Sequence, residues 1–462
     1  MEKWRYAPCL AALSAILLTA CQPGLPPDSR VDSDTGINGT TTNYIATQYW
    51  TWYTPGKDAP MWEGVSDYGQ PSAGWYDSHD PTVAACHIDA MLGNGINVLS
   101  YAYVNKAGDG TMWYADIIDP DQAFRDGAMR APNFGDIKFF VSYDLATRAM
   151  LVHNAENGLQ WGHPEGMDVL PWVKFDDPGM RTNGYPSFDF NVRDANGFHI
   201  YEELLMHDFR NFAENYFTKS NYFRVNGQCV VFIYNSWRFN NGGVGDVTDG
   251  FSRALQRVRA DIYDWYGTKL YLAGDFVSFN NKSQAADYRT KGYYKWYDAV
   301  HGWNVFDDPY RARYGEWSSL SQYSDVSKAV QDAFRPQAGF AYRSYRSSLP
   351  EPARTAYGSS QAKVDYIPLL SFSFRRHDGS NGFKSGTVDT GELTKELDMV
   401  RTQRSDSRLA EEDATIVYNV AFNQWNEGQL IEPTIPDAND PYPGKAGWSC
   451  LGMINAILGP GW

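Results

Sequence analysis

Residues 81–103 read PTVAACHIDAMLGNGINVLSYAY, and the order of their parts sets the expected architecture. Asp80 before Pro81 is a helix start. An Asp side chain can accept from the first free backbone N–H groups, and Pro at the first helical position lacks an N–H that would have no partner there. The amphipathic run extends to Gly93, and after Gly95-Ile96-Asn97 an apolar strand runs through Tyr103. A helix leading into a fully apolar strand is a crossover unit of a parallel sheet, because a strand covered on both faces needs no polar alternation.

The same unit recurs outward in both directions. Strand-like runs fall at Tyr44–Tyr49, Asn97–Tyr103, Lys138–Tyr143, Cys229–Tyr234, Leu270–Gly274, Asp298–Trp303, Tyr366–Ser371 and Ile416–Phe422. Amphipathic stretches lie between them at Tyr201–Phe217, Phe251–Tyr266, Val326–Phe334 and Gly391–Thr402, the last with Leu393, Leu397 and Val400 at helical spacing. Eight strands alternating with helices predict an α/β fold, a (β/α)8 TIM barrel formed by residues 43–462 as one domain. Residues 145–197 show little periodicity and many Gly, Pro, Asn, Asp and Trp. So long a loop after the third strand is uncommon unless functional, and it would roof the C-terminal mouth of the barrel. A final helix is expected around Trp448–Leu458.

The N-terminus reads as an export signal over residues 1–20. Lys3 and Arg5 precede an apolar run from Leu10 to Ala20 that is too short to span a bilayer comfortably. Leu18-Thr19-Ala20-Cys21 has the form of a bacterial lipobox, in which the Cys21 thiol is acylated and becomes the mature N-terminus. Residues 21–42 then form a flexible tether rich in Pro, Gly, Ser, Thr and Asp. These features predict a lipid-anchored protein of the bacterial cell envelope, at the outer membrane and facing periplasm or surface, with the lipid as its only membrane contact. Of the other cysteines, Cys9 leaves with the signal, and Cys86, Cys229 and Cys450 are too few for a framework, so Cys86 and Cys229 are expected to be buried packing thiols.

A formal charge of −15 argues against nucleic acid and anionic substrates as partners. No His/Cys cluster has metal-ligand spacing and no Gly-rich loop suits a phosphate, so neither metal nor cofactor is expected, and nothing calls for more than a monomer. The residues just past the strands decide the chemistry, since only they point into a barrel mouth. They are Trp50 and Trp52, Tyr103, Tyr143 and Asp144, Tyr234 and Asn235, Asp275, Trp303 and Asn304, Arg375 and His377, and Asn423 through Glu427 including Gln424 and Trp425. Aromatic faces, amides and a few carboxylates make a palette for carbohydrate, whose rings stack and whose hydroxyls need hydrogen bonds. The plainer alternative is that some of these rings, among 16 Trp and 31 Tyr, only pack beneath loops.

Two motifs resemble a known family. Trp75-Tyr76-Asp77-Ser78-His79-Asp80-Pro81 with His87 and Gly95-Ile96-Asn97 is similar to the first helix of family 99 glycoside hydrolases. Phe422-Asn423-Gln424-Trp425-Asn426-Glu427-Gly428 with Ile431-Glu432-Pro433 resembles that family's catalytic motif. The resemblance implies an endo-acting α-mannosidase-like enzyme that retains configuration and works without metal, through two Glu residues three apart. One takes a proton from the sugar 2-hydroxyl, and the other protonates the leaving oxygen. Glu427 matches the second, so it is the expected general acid/base, and Gln424 stands at the first.

An amide is no base at neutral pH, although it donates and accepts hydrogen bonds. Three readings follow: another carboxylate (Asp144, Asp275 or Asp77) acts as base, Gln424 binds a group of a substrate that itself assists, or the chain is a non-catalytic glycan-binding lipoprotein. Tyr76, Asp77 and His79 are expected to face the sugar, Asp80 to cap its helix, His87 to be a satisfied core histidine and Glu432 to order its loop. The function read here is hydrolysis of an oligo- or polysaccharide. One expectation is checked by fractionation: Cys21→Ala should move the protein from membranes to the soluble fraction, and continued sedimentation would refute the lipid anchor.

Overall fold

The structure, a computed structural model, describes residues 42–59, 61–62, 70–104, 118–145, 148, 190–191, 193, 197–234, 236, 250–275, 297–301, 365–367, 369–370, 414–419, 421–424, 429–435 and 454–455. Its core is a parallel sheet of β1 (Thr42–Tyr49), β3 (Val98–Tyr103), β4 (Lys138–Tyr143), β6 (Gln228–Ile233), β7 (Leu270–Asp275), β8 (Ala299–His301), β9 (Asp365–Ile367), β10 (Leu369–Leu370) and β11 (Ala414–Asn419). Each of the eight expected strands is found, the seventh as two short pieces. The pairing order is β10–β11–β1–β3–β4–β6–β7–β8–β9, so its two ends are consecutive in the chain, one residue apart.

The sheet is strongly curved. On its concave face Phe232 (β6), His301 (β8) and Tyr418 (β11) meet, with ring centroids 4.4 Å apart for Phe232–His301, 5.1 Å for Phe232–Tyr418 and 5.5 Å for His301–Tyr418. In a flat sheet β8 and β11 would lie roughly 30 Å apart, at about 4.8 Å per strand. Phe140 of β4 joins the same layer against Phe232 at 4.4 Å. A ring from each of four strands thus fills one level of the interior.

Helices cover the convex face. In α1 (Pro81–Leu92) Asp80 accepts from the Thr82 N–H at 2.8 Å with Pro81 at the first position, as its sequence demands. Its buried side presents Val83, Ala84, His87, Ile88 and Met91. The short α2 (Pro120–Asp126) repeats the device with Asp119 and Pro120. α3 spans Ile200–Asn215 and α4 spans Phe251–Tyr266. Fully buried Arg259 of α4 reaches the Leu270 carbonyl and the Asp298 carboxylate, each at 2.6 Å, and so fixes that helix to β7 and the entry of β8. Asn226-Gly227, both with positive φ, close the hairpin between β5 (Arg224–Val225) and β6, as a type I′ turn requires. The helices expected at Val326–Phe334, Gly391–Thr402 and Trp448–Leu458 lie wholly or largely outside the described residues, as does most of the loop at 145–197.

One expectation about cysteine needs correction. Cys86, half-buried on α1, is disulfide-bonded rather than a packing thiol. Cys229 of β6 is free and buried, and burial pushes its thiol up to about 11. A thiolate is the reactive species, so native protein should resist alkylation at Cys229 near pH 8. Non-reduced peptide mapping should find Cys86 cross-linked and Cys229 labelled only after denaturation, and native labelling of either residue would contradict this.

Candidate active site

Alternation along the strands decides which residues reach the concave face, since register partners share a face and successive residues do not. Ser142 partners Phe232, which in turn partners Ala273, all on the concave side. Two residues further along each strand come Asp144, Tyr234 and Asp275, and Asp275 partners His301. These four therefore form a row across β4, β6, β7 and β8 at the C-terminal edge. Pairing continues past the strand ends, with the Asp144 N–H on the Tyr103 carbonyl at 3.2 Å and the Tyr234 N–H on that of Tyr143 at 2.9 Å. Asp275 and His301 are sealed, Asp144 retains 8% exposure and Tyr234 is half-buried.

Tyr143 is one residue out of phase with this row, contrary to the expectation that it lines the mouth. Its hydroxyl donates to Asp208 of α3 at 2.7 Å, and its ring packs on Phe209 and Phe212. Burial, with Asp208 beside it, holds the phenol protonated far above its usual range. Arg148 completes the group, donating from Nε and Nη2 to the two Asp208 oxygens at 2.8 Å each. Burial alone would raise the Asp208 carboxyl, but the Arg148 guanidinium and a His207 hydrogen bond outweigh it and hold it well below the ordinary carboxylate range. The Arg148 N–H donates to the Asp144 carbonyl at 3.0 Å, so the turn carrying Asp144 is clamped to α3.

A second group is built where β1 and β11 end. Asn423 binds the Trp50 backbone on both sides, accepting from its N–H at 2.8 Å and donating to its carbonyl at 2.9 Å. The Asn423 amide also donates to the Tyr76 hydroxyl at 3.1 Å, and the Tyr53 hydroxyl donates to the Asn423 carbonyl. Tyr76 donates to Glu432 Oε2 at 3.1 Å, while His87 Nε2 lies 3.0 Å from Oε1. The other ring nitrogen, Nδ1, is 2.9 Å from the Tyr49 hydroxyl. Burial and then Glu432 push the Tyr49 phenol far up, so it stays protonated beside the ring. His87 is a buried core histidine, and Glu432 joins α1 to the loop before it.

These bonds hold a short hairpin. β12 (Asn423–Gln424) pairs antiparallel with β13 (Gln429–Leu430), and the N–H groups of Ile431 and Glu432 both donate to the Phe422 carbonyl at 2.9 Å. Beside it, Trp50 and Trp52 stack at 4.1 Å between centroids and an interplanar angle of 23°. Tyr53, Trp62 and Trp75, with Tyr76, continue the aromatic wall. The indole N–H groups of Trp50 and Trp52 and Oε1 of Gln424 are enclosed without a hydrogen-bond partner, as are Asn419 Oδ1 and, apart from its 3.0 Å ion-pair contact, His87 Nε2. Two donors and an acceptor on neutral side chains suit the hydroxyls of an uncharged sugar. Asp77 is more committed, its Oδ1 lying 2.9 Å from both the His79 N–H and Nδ1.

Asn235, Trp303, Asn304, Arg375, His377, Trp425 and Glu427 lie outside the described residues. Reading the strand ends missed His301, although its alternate position in the Asp298–Trp303 run marks it as inward-facing. It also missed Tyr53 and Trp62, which carry no motif.

No protein-family model matches the chain, and no curated protein matches its sequence. Solved structures do share its fold. A structure described as a glycoside hydrolase-like protein is 16% identical, with a TM-score of 0.53 over 96% of this chain and 99% of its own. The family 99 endo-α-mannosidase from Bacteroides thetaiotaomicron is 12% identical, with a TM-score of 0.50 over 90% of this chain and 96% of its own. At such identities the likeness is one of fold, and it is the fold of glycoside hydrolases that the resemblance anticipates.

The Glu432 knot yields a stability prediction. Glu432→Ala removes the acceptor of the Tyr76 hydroxyl and the ion-pair contact of His87 in a sealed space, and a buried group left unpaired costs roughly 1–3 kcal/mol. A urea titration should show a lower midpoint at unchanged slope, and an unchanged midpoint would mean the network carries no load.

Proposed function

We propose that the curved sheet is a closed (β/α)8 barrel whose seventh strand is the interrupted run 365–370, and that the protein is a glycoside hydrolase of this fold. Closure is supported by the chain adjacency of β9 and β10 at opposite ends of the pairing order, and by the rings of β8 and β11 in contact. The observation that carries the function is the Trp50–Trp52 stack at the C-terminal edge, where barrel sites form, with Gln424 Oε1 enclosed without a partner on the hairpin whose Asn423 grips the Trp50 backbone. The stack offers an apolar face to a sugar ring, and the amide offers an acceptor to a hydroxyl.

In this reading the substrate is a neutral oligo- or polysaccharide, cut within the chain at α-mannoside-type linkages. The structural neighbour named as an endo-α-mannosidase supports that class. Glu427 is the general acid/base. It lies in the four-residue connection between β12 and β13, whose foot is fixed by Asn423 and Glu432. Lipid at Cys21 tethers the enzyme to the cell envelope, where such polymers are met.

One observation favours a second reading. Gln424 is an amide where the family resemblance places a carboxylate, and a non-catalytic glycan-binding lipoprotein would need only its hydrogen bonds.

A product assay beside a calorimetric titration, against a panel of polysaccharides, separates the two. Glu427→Gln should abolish hydrolysis with binding nearly intact, since general acid–base groups contribute about 10²–10⁴-fold. Gln424→Ala should weaken binding by roughly 1–3 kcal/mol through unpaired partners. Gln424→Glu should raise mannosidase-like turnover. No turnover by wild type, with equal modest binding losses for Glu427→Gln and Gln424→Ala, would establish the binding protein instead.

A further inference from the structure

The chain enters the sheet at Thr42, and because β1 pairs in parallel with its neighbours, β3, β4, β6 and β7 start at that same edge. It is the edge opposite the one that carries Trp50 and Gln424. Twenty residues, 22–41, separate Thr42 from Cys21, and their sequence is that of a flexible tether. A tether of that length reaches roughly 25 Å on average, so an acyl chain on Cys21 would keep this edge within about that distance of a membrane.

The edge differs in charge from the rest of a chain whose formal charge is −15. Its described loops, 93–97, 131–138, 217–227 and 267–269, hold four basic side chains, Lys138, Lys219, Arg224 and Lys269, against the one acid Asp136. Lys219 is exposed and the other three are half-buried. Beside these loops the last turn of α4 presents Trp265, 36% exposed and, among the described residues, the one large hydrophobic side chain exposed to that degree. Half-buried Tyr263 and Tyr266 flank it, with Asp264 as the acid of that turn. Cations lie over two of the rings, Arg210 of α3 at 5.8 Å from the Trp265 centroid and Lys269 at 5.6 Å from that of Tyr263. Amphipathic rings beside long cationic side chains suit a membrane interface, where the ring sits at headgroup level and the cation reaches phosphate. α4 leads into β7, four strands from β1 in the pairing order, so tether and rim bear on separated points of one edge.

We propose that this edge is a second membrane contact, seated on the anionic phospholipid headgroups of the bilayer that holds Cys21. This rests on the Cys21 anchor in the reading given above and is independent of the hydrolase chemistry. Lysines are drawn to an anionic surface only within about a Debye length, and the tether brings them there, which turns a weak contact into an intramolecular one. Charge also decides which end turns to the lipid, since the remainder of so acidic a chain is repelled by it. The lipid is then not the only membrane contact, and the edge with Trp50 and Gln424 faces away from the bilayer, open to a polymer.

The test uses the full chain with vesicles that contain phosphatidylglycerol and with vesicles of phosphatidylcholine alone. Acylated wild type should show slower amide exchange at 217–224 and 263–269 on the anionic vesicles than on the neutral ones. The Cys21→Ala chain should sediment with the anionic vesicles only, and less so above physiological salt. Lys219→Gln and Lys269→Gln should each lower that partition about fivefold, and Trp265→Ala should lower it too, all three melting like wild type. Sedimentation of the Cys21→Ala chain that is absent, equal on both vesicles or unmoved by the three substitutions overturns the proposal. Protection that follows protein density rather than anionic lipid assigns the face to a second copy and overturns it as well. The mass of the mature chain, with or without acyl groups, reports on the anchor separately.

Discussion

The Glu432 carboxyl is the constraint on which the rest of the site depends. It is fully enclosed, and an enclosed carboxyl is costly unless it is paired. Tyr76 donates to one oxygen from the loop before α1, and His87 of that helix lies 3.0 Å from the other. Each is itself held, His87 by Tyr49 of β1 and Tyr76 by Asn423 of β12. One side chain therefore ties the first strand, the first helix and the end of the last strand into a single knot. Removing any member leaves its partner unpaired where no water can reach it, so the arrangement tolerates one geometry and few others.

Beside that knot, Asn423 spends both ends of its amide and its carbonyl on Trp50, Tyr76 and Tyr53. Gln424, the next residue, has no partner for its oxygen, and neither have the indole nitrogens of Trp50 and Trp52. The carbohydrate reading proposed above rests on these open atoms and on the stacked indoles, since a sugar ring offers hydroxyls to the one and an apolar face to the other.

Much of this was written in the sequence because parallel strands buried on both faces are apolar runs with few rivals. Lys138–Tyr143 is found residue for residue, and Phe251–Tyr266 likewise. Asp80-Pro81 told the start of α1 for a local reason, a cap that needs no tertiary partner. What escaped was non-local or too short to have a period. The ladders of β12 with β13, and of β2 (Gln70–Pro71) with β14 (Thr434–Ile435), are two residues each, and no periodicity marks a two-residue strand. Cys86 escaped because a lone thiol in a helix does not announce a partner elsewhere. Tyr143 was placed at the mouth by counting from the end of a strand, whereas alternation within β4, already visible in Phe140 and Ser142, sends it to the helix side.

That same alternation explains how one strand end serves both faces of the sheet. Tyr143 and Asp144 are neighbours in the chain but face opposite ways, and Arg148 joins their surroundings by binding Asp208 with its side chain and the Asp144 carbonyl with its N–H. The outward residue thereby fixes the inward one.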